Sequence, residues 1–183
     1  MRRQPSENFH GFTLIEFIFA TAILATLCAI SLPALGSLTQ NSRSHTANNN
    51  LITALNLARS SAVSRGGEIV LCPSADQNHC DDGIWWQHGW IVFQDLDRNG
   101  SRNGDEPIIN VTPAQAGIAI ASSSGREHVT YRTDGSSTGT NLTFTLCDHR
   151  GSAHASTIVV SNSGRARQGT ATAAQTAAAC AGL

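Results

Sequence analysis

The strongest constraint on this chain is an apolar run from Phe12 to Leu38, interrupted mainly by Glu16, Ser31 and Pro33. At about 1.5 Å per residue, a helix of that length crosses the hydrocarbon core of a bilayer. Arg2 and Arg3 precede the run and mostly neutral polar residues follow it, so the N-terminus is expected in the cytoplasm and the bulk of the chain beyond the membrane. A general secretory signal also starts with arginines, but its apolar stretch is shorter and a small-residue cleavage site follows it, whereas here the run continues into a helix-like segment. Glu16 is the costly position, because a carboxylate at the edge of a lipid-spanning segment needs either a partner or water at headgroup depth.

The residues around it, GFTLIEFIFA, resemble the class III signal of type IV pilins and pseudopilins. That resemblance implies cleavage between Gly11 and Phe12 by a prepilin peptidase, methylation of the new N-terminus, and a single-pass stay in the bacterial inner membrane with the domain in the periplasm. Assembly with other major and minor pilins into an extracellular pilus would follow. It also implies that Glu16 pairs with the N-terminal amine of a neighbouring subunit, a pairing that low dielectric strengthens. Residues 1–11 are then a leader, 12–38 a transmembrane and filament-core helix, and 39–66 its continuation.

Pro33 removes a backbone donor and is expected to kink or locally melt that helix. Further on, Leu51, Leu55, Ala58 and Ala62 recur every three or four residues, a stripe suited to packing on a sheet, and Gly66-Gly67 ends it. The period then changes. EIVLC, WIVFQ, PIINV, GIAIA, HVTYR, LTFTLC and STIVVS read as short strands separated by Gly, Asn, Asp and Ser turns. The expected fold is α+β and type IV pilin-like, with a long N-terminal helix packed against a mostly antiparallel β-rich domain, residues 67–183. Ser122–Gly125, Asp134–Thr140 and Gly169–Ala179 read as loops or poorly ordered stretches.

Four of the five cysteines, Cys72, Cys80, Cys147 and Cys180, lie in the exported part, and Cys28 lies in the apolar helix. An even extracytoplasmic set suggests two disulfides, with three pairings open to it. Cys72 with Cys80 and Cys147 with Cys180 is favoured, the first closing a small loop and the second tying down the C-terminal tail. A zinc site of Cys72, His79, Cys80 and His88 lacks a recognised spacing. A calcium loop has more support: Asp95, Asp97, Asn99, Gly100 and Glu106 match the twelve-residue pattern of alternating oxygen ligands around a glycine. The segment nevertheless enters as a strand and leaves as one, without flanking helices, so an acidic β-hairpin is the preferred reading. No cofactor is expected.

Every basic side chain is arginine and the net charge is −1, which excludes a strongly cationic nucleic-acid coat. The charges are segregated. Asp76–Glu106 holds seven acids against two arginines, whereas beyond Val111 Arg126, Arg132, Arg150, Arg165 and Arg167 face Glu127, Asp134 and Asp148. Two closely spaced arginines on a glycine-bounded segment can reach adjacent phosphates; a solvated basic turn is the simpler alternative. SGRAR, Ser163–Arg167, resembles the GRxR motif of FimT-like minor pilins, and Trp90 and Phe93 match the W-x-x-F pattern of the wider GspH/FimT family. The resemblance implies nonspecific binding of extracellular DNA by Gly164, Arg165 and Arg167, with Arg150 and Arg132 as auxiliary contacts, in support of DNA uptake during natural transformation. The alternative is a structural minor pilin, or a type II secretion pseudopilin of the GspH class, that initiates or caps a filament without binding DNA. His88, His128, His149 and His154 fall in no catalytic pattern, so no enzymatic activity is expected.

Overall fold

The computed structural model describes residues 11–139 and 141–183; Arg2, Arg3 and the leader before Gly11 lie outside the described residues. The chain divides into two compact units, Met1–Leu38 and Thr39–Leu183, and helix α1, Leu14–Arg65, contributes to both. In the first unit α1 exposes Phe17, Phe19, Leu24 and Leu27, and this stretch is long and apolar enough to cross a membrane. Of the two outcomes expected at Pro33, a kink or local melting, the second does not occur: the helix runs on through it. One proline forfeits one hydrogen bond, and the neighbouring turns outweigh that loss.

In the second unit Ala47, Leu51, Ala54, Leu55, Ala58 and Ala62 form the buried stripe of α1. Gly66 ends the helix in the left-handed region, φ 66°, with its N–H donated to the Ala62 carbonyl at 3.1 Å. The strands that follow are β1 Glu68–Pro73, β2 Gly89–Asp95, β3 Ile108–Pro113, β4 Ile118–Ser122, β5 Val129–Tyr131, β6 Leu142–Asp148, β7 Ser156–Val160 and β8 Ala166–Gly169. All seven expected strands form. They build two antiparallel sheets, ordered β3-β2-β1-β5 and β4-β6-β7-β8.

Alternation decides which side chains enter the shared core. Ile69 and Leu71 of β1 join the helical stripe together with Phe144, Leu146, Ile158 and Val160 from the second sheet. Val70 and Cys72 face the other way, against Ile91, Phe93 and Cys80. Trp86 meets Phe144 edge to face, with ring centroids 4.9 Å apart. Every buried apolar residue among those described lies between Ala47 and Ala179, so Thr39–Leu183 holds the whole described core and is a self-sufficient folding unit.

Both favoured disulfides are present, Cys72–Cys80 and Cys147–Cys180. The tail is a correction to the sequence reading, since most of the expected loop Gly169–Ala179 belongs to a helix, α2, Ala173–Cys180. Thr172 caps it: its hydroxyl accepts from the Gln175 N–H while the Gln175 side chain accepts from the Thr172 N–H. With Cys180 bonded to Cys147, α2 covers Ala121 and Cys147 on the outer face of the second sheet.

Candidate functional site

Strands β7 and β8 form a hairpin at one edge of the second sheet, with Val160 opposite Ala166 and Val159 opposite Arg167. Its turn, Ser161–Arg165, closes through the Ser161 N–H on the Arg165 carbonyl at 3.0 Å and the Gly164 N–H on the Ser161 carbonyl at 2.8 Å. Gly164 is required by two observations. Its φ is 77°, and a β-carbon there would collide with the backbone carbonyl of Gly135.

Ala166 packs on the core, so strand alternation sends Arg167 to the outer face. Arg165 and Arg167 are both exposed, and neither guanidinium has an ion-pair or hydrogen-bond partner among the described residues. Fork-shaped donors free in this way are suited to phosphate oxygens.

A second turn supports the hairpin. Arg132–Ser136 is closed by the Gly135 N–H on the Arg132 carbonyl at 2.8 Å, and the Ser137 N–H donates to the Asn162 carbonyl at 3.0 Å. Exposed Arg132 therefore stands on a turn that abuts the one carrying Arg165. Asp134 shares this turn, and hydrogen bonds from Ser136, aided by the Arg132 charge, hold its carboxyl below the ordinary range. It subtracts from the local positive charge.

Arg150 is placed differently. Its guanidinium forks onto the buried carboxylate of Asp148, with Nη2 2.7 Å from Oδ2, and Nη1 donates to Asn41 Oδ1 at 3.1 Å. Burial alone would raise the Asp148 carboxyl, but the hydrogen bonds and charge of Arg150 outweigh it and hold the group below its usual value. The arrangement commits Arg150 to a structural ion pair.

The acidic segment is the loop between antiparallel β2 and β3, which is the hairpin context expected of it. Asp95, Asp97 and Glu106 bring carboxylate oxygens within 4.8 Å of one another, so this part of the calcium pattern does converge. Each buried carboxylate also braces the loop. Asp95 accepts the Arg98 and Gly100 N–H groups, and Glu106 accepts those of Leu96 and Asn103. The Asn99 side chain donates to Asp97 at 2.9 Å and accepts from the Ser101 N–H at 2.7 Å.

At the N-terminal end, exposed Gly11 and Phe12 precede α1, and Glu16 occupies its first turn, where the helix dipole favours a carboxylate. Thr13 Oγ1 accepts the Glu16 N–H at 3.4 Å, and the Thr13-x-x-Glu16 spacing is that of a capping box.

Two residues escaped the sequence reading. Arg59 of α1 and Gly135 hold the hairpin turn from beneath, and contacts so distant along the chain leave no local signal.

The domain resembles two crystal structures of the type IV minor pilin FimU from Pseudomonas aeruginosa. One aligns with a TM-score of 0.59 at 21% identity, covering 72% of this chain and 92% of that one. The other aligns with a TM-score of 0.55 at 22% identity, covering 68% and 91%. The minor pseudopilin EpsH of Vibrio cholerae aligns with a TM-score of 0.49 at 12% identity, over 70% of this chain and 97% of that one. No curated protein sequence matches. The fold is thus type IV pilin-like, and the model of the type II transport protein GspH matches residues 47–164, more than half of the chain, so the chain belongs to the GspH family.

Proposed function

We propose that this protein is a minor type IV pilin that binds extracellular DNA through phosphate contacts from Arg165 and Arg167 and supports DNA uptake in natural transformation. The carrying observation is the pair of exposed guanidinium groups on one hairpin edge, unpartnered among the described residues and backed by a turn that only glycine fits. Contacts to phosphate position a protein on DNA without reading its sequence. Arg132 extends the same surface as an auxiliary contact, whereas Arg150 would have to leave Asp148 to join it.

Assembly rests on the other end of the chain. Processing by a prepilin peptidase between Gly11 and Phe12 frees an amine for the Glu16 carboxylate of a neighbouring pilin. The apolar half of α1 then passes from the inner membrane into a filament displayed outside the cell, with the domain periplasmic beforehand. A few arginines per subunit bind weakly, and several copies on one filament add avidity.

The GspH family match favours a second reading, a structural minor pilin or type II secretion pseudopilin that initiates or caps a filament. It requires the same anchor and fold but no affinity for DNA. Mobility-shift titration of Thr39–Leu183 with a duplex at low salt separates the two. Binding that is lost in the folded Arg165→Ala/Arg167→Ala variant supports the DNA reading; no binding by the unaltered domain favours the structural one.

A further inference from the structure

The geometry points to Arg59 as the positioning residue of the proposed DNA-contacting hairpin, an inference that rests on the DNA reading of Arg165 and Arg167. Arg59 lies half-buried near the C-terminal end of α1. Its Nε donates to the Gly135 carbonyl at 2.9 Å and its Nη2 to the Ser163 carbonyl at 3.2 Å. One planar group thus ties the Arg132–Ser136 turn to the Ser161–Arg165 turn.

Three features make this a clamp rather than an incidental surface contact. The two carbonyls belong to turns that touch backbone to backbone at Gly135 and Gly164, where no side chain can fill the space between them. Both glycines sit in the left-handed region, with φ 76° and 77°, so neither turn relaxes freely into ordinary backbone. Arg59 also projects from the rigid helix whose adjoining residues Leu55, Ala58 and Ala62 are fully buried. The hairpin edge is therefore referenced to the core through Arg59, and Ser163 directly adjoins the Gly164-Arg165 step that presents the first phosphate-binding arginine.

Lysine cannot substitute. Its single ammonium on a flexible stem lacks the planar fork that serves two carbonyls in different turns, although it preserves the charge. This separates positioning from a direct contact between Arg59 and phosphate. A direct contact would be largely retained by Lys, and its removal in Ala would lower the salt slope by about one.

The experiment compares Thr39–Leu183 with its Arg59→Lys and Arg59→Ala variants by duplex titration across a salt series and by amide hydrogen exchange without DNA, each after confirming a cooperative thermal transition. In both variants the exchange of the bonded turn amides of Gly135, Ser161 and Gly164 is expected to accelerate. Affinity should fall about three- to tenfold, the consequence of losing one to two charge-assisted hydrogen bonds that hold the binding geometry, with the salt slope unchanged. Unchanged exchange in folded Arg59→Lys overturns the clamp. Accelerated exchange with wild-type affinity overturns its role in binding. A wild-type domain that binds no duplex overturns the DNA reading and the positioning role with it, while the exchange data still report whether the clamp exists.

Discussion

Gly164 lies against the carbonyl of Gly135 so closely that a β-carbon at position 164 would collide with that oxygen. The contact joins two turns, and the backbone of each is set by a positive φ. Glycine in the GRAR segment therefore has a structural cause that is independent of any ligand.

Gly164→Ala is accordingly expected to destabilise the domain by about 2 to 4 kcal/mol, combining left-handed strain with displacement of the Gly135 turn. Chemical denaturation measures it. A cost near that of an ordinary surface substitution, about 0.5 kcal/mol, would contradict the packing described for the turn.

Two buried aspartates should respond to pH in opposite directions. Asp148 has its carboxyl held low by Arg150 despite burial, so its contribution is present above about pH 4 and is lost as pH falls through its lower folded value. Asp95 has its carboxyl raised by burial, with the Glu106 charge adding to it, so its penalty in the folded state develops as pH rises through the folded value. Asp148→Asn should therefore cost most at pH 7 and progressively less in acid. Asp95→Asn should compare most favourably with wild type at pH 7 and lose that standing towards pH 4. Denaturation midpoints of the three proteins across about pH 2–7 test the pair, with the Asp148→Asn cost shrinking below about pH 4 and the Asp95→Asn difference changing above it, and parallel trends would refute the assignment.

The disulfides differ in the length of chain they close. Cys147–Cys180 spans 33 residues and holds α2 on the sheet, whereas Cys72–Cys80 spans 8. Replacing Cys147 and Cys180 by serine should cost about 3 to 4 kcal/mol and free α2, and replacing Cys72 and Cys80 about 2 to 3 kcal/mol. Equilibrium unfolding of the two double variants gives both values, and the reverse order would contradict the tie-down role.

How legible these features are in the sequence depends on how local their causes are. The seven expected strands carry β-branched runs between turn residues, and Gly66 announces the helix end. Strand β8 has no such signal: ARQG becomes a strand by pairing with β7. Helix α2 was hidden by its threonines, although the Thr172-x-x-Gln175 spacing and the alanines are a cap and a helix former. At the site, Arg165 and Arg167 stand out as residues in a charge-segregated region. The diversion of Arg150 to Asp148 and Asn41, and the anchoring of two turns by Arg59, arise only once the fold brings distant segments together.

The aromatic residues of Thr39–Leu183 are buried except for Trp85, which lies against Gly182 beyond α2. Without a stacking platform at the arginines, affinity should depend on phosphate density. Duplexes of unrelated sequence are expected to bind within about threefold of one another, and single strands more weakly. Fluorescence anisotropy with matched oligonucleotides decides this, and a strong preference for single strands would contradict phosphate-only contact.

The central claim is that two exposed guanidinium groups on the β7–β8 hairpin bind DNA phosphates, and its most direct test is the slope of log affinity against log salt. For Arg165→Ala/Arg167→Ala, shown to be folded, the slope should be shallower than that of wild type by about two, with affinity reduced for every sequence alike. An unchanged slope and affinity would contradict the claim.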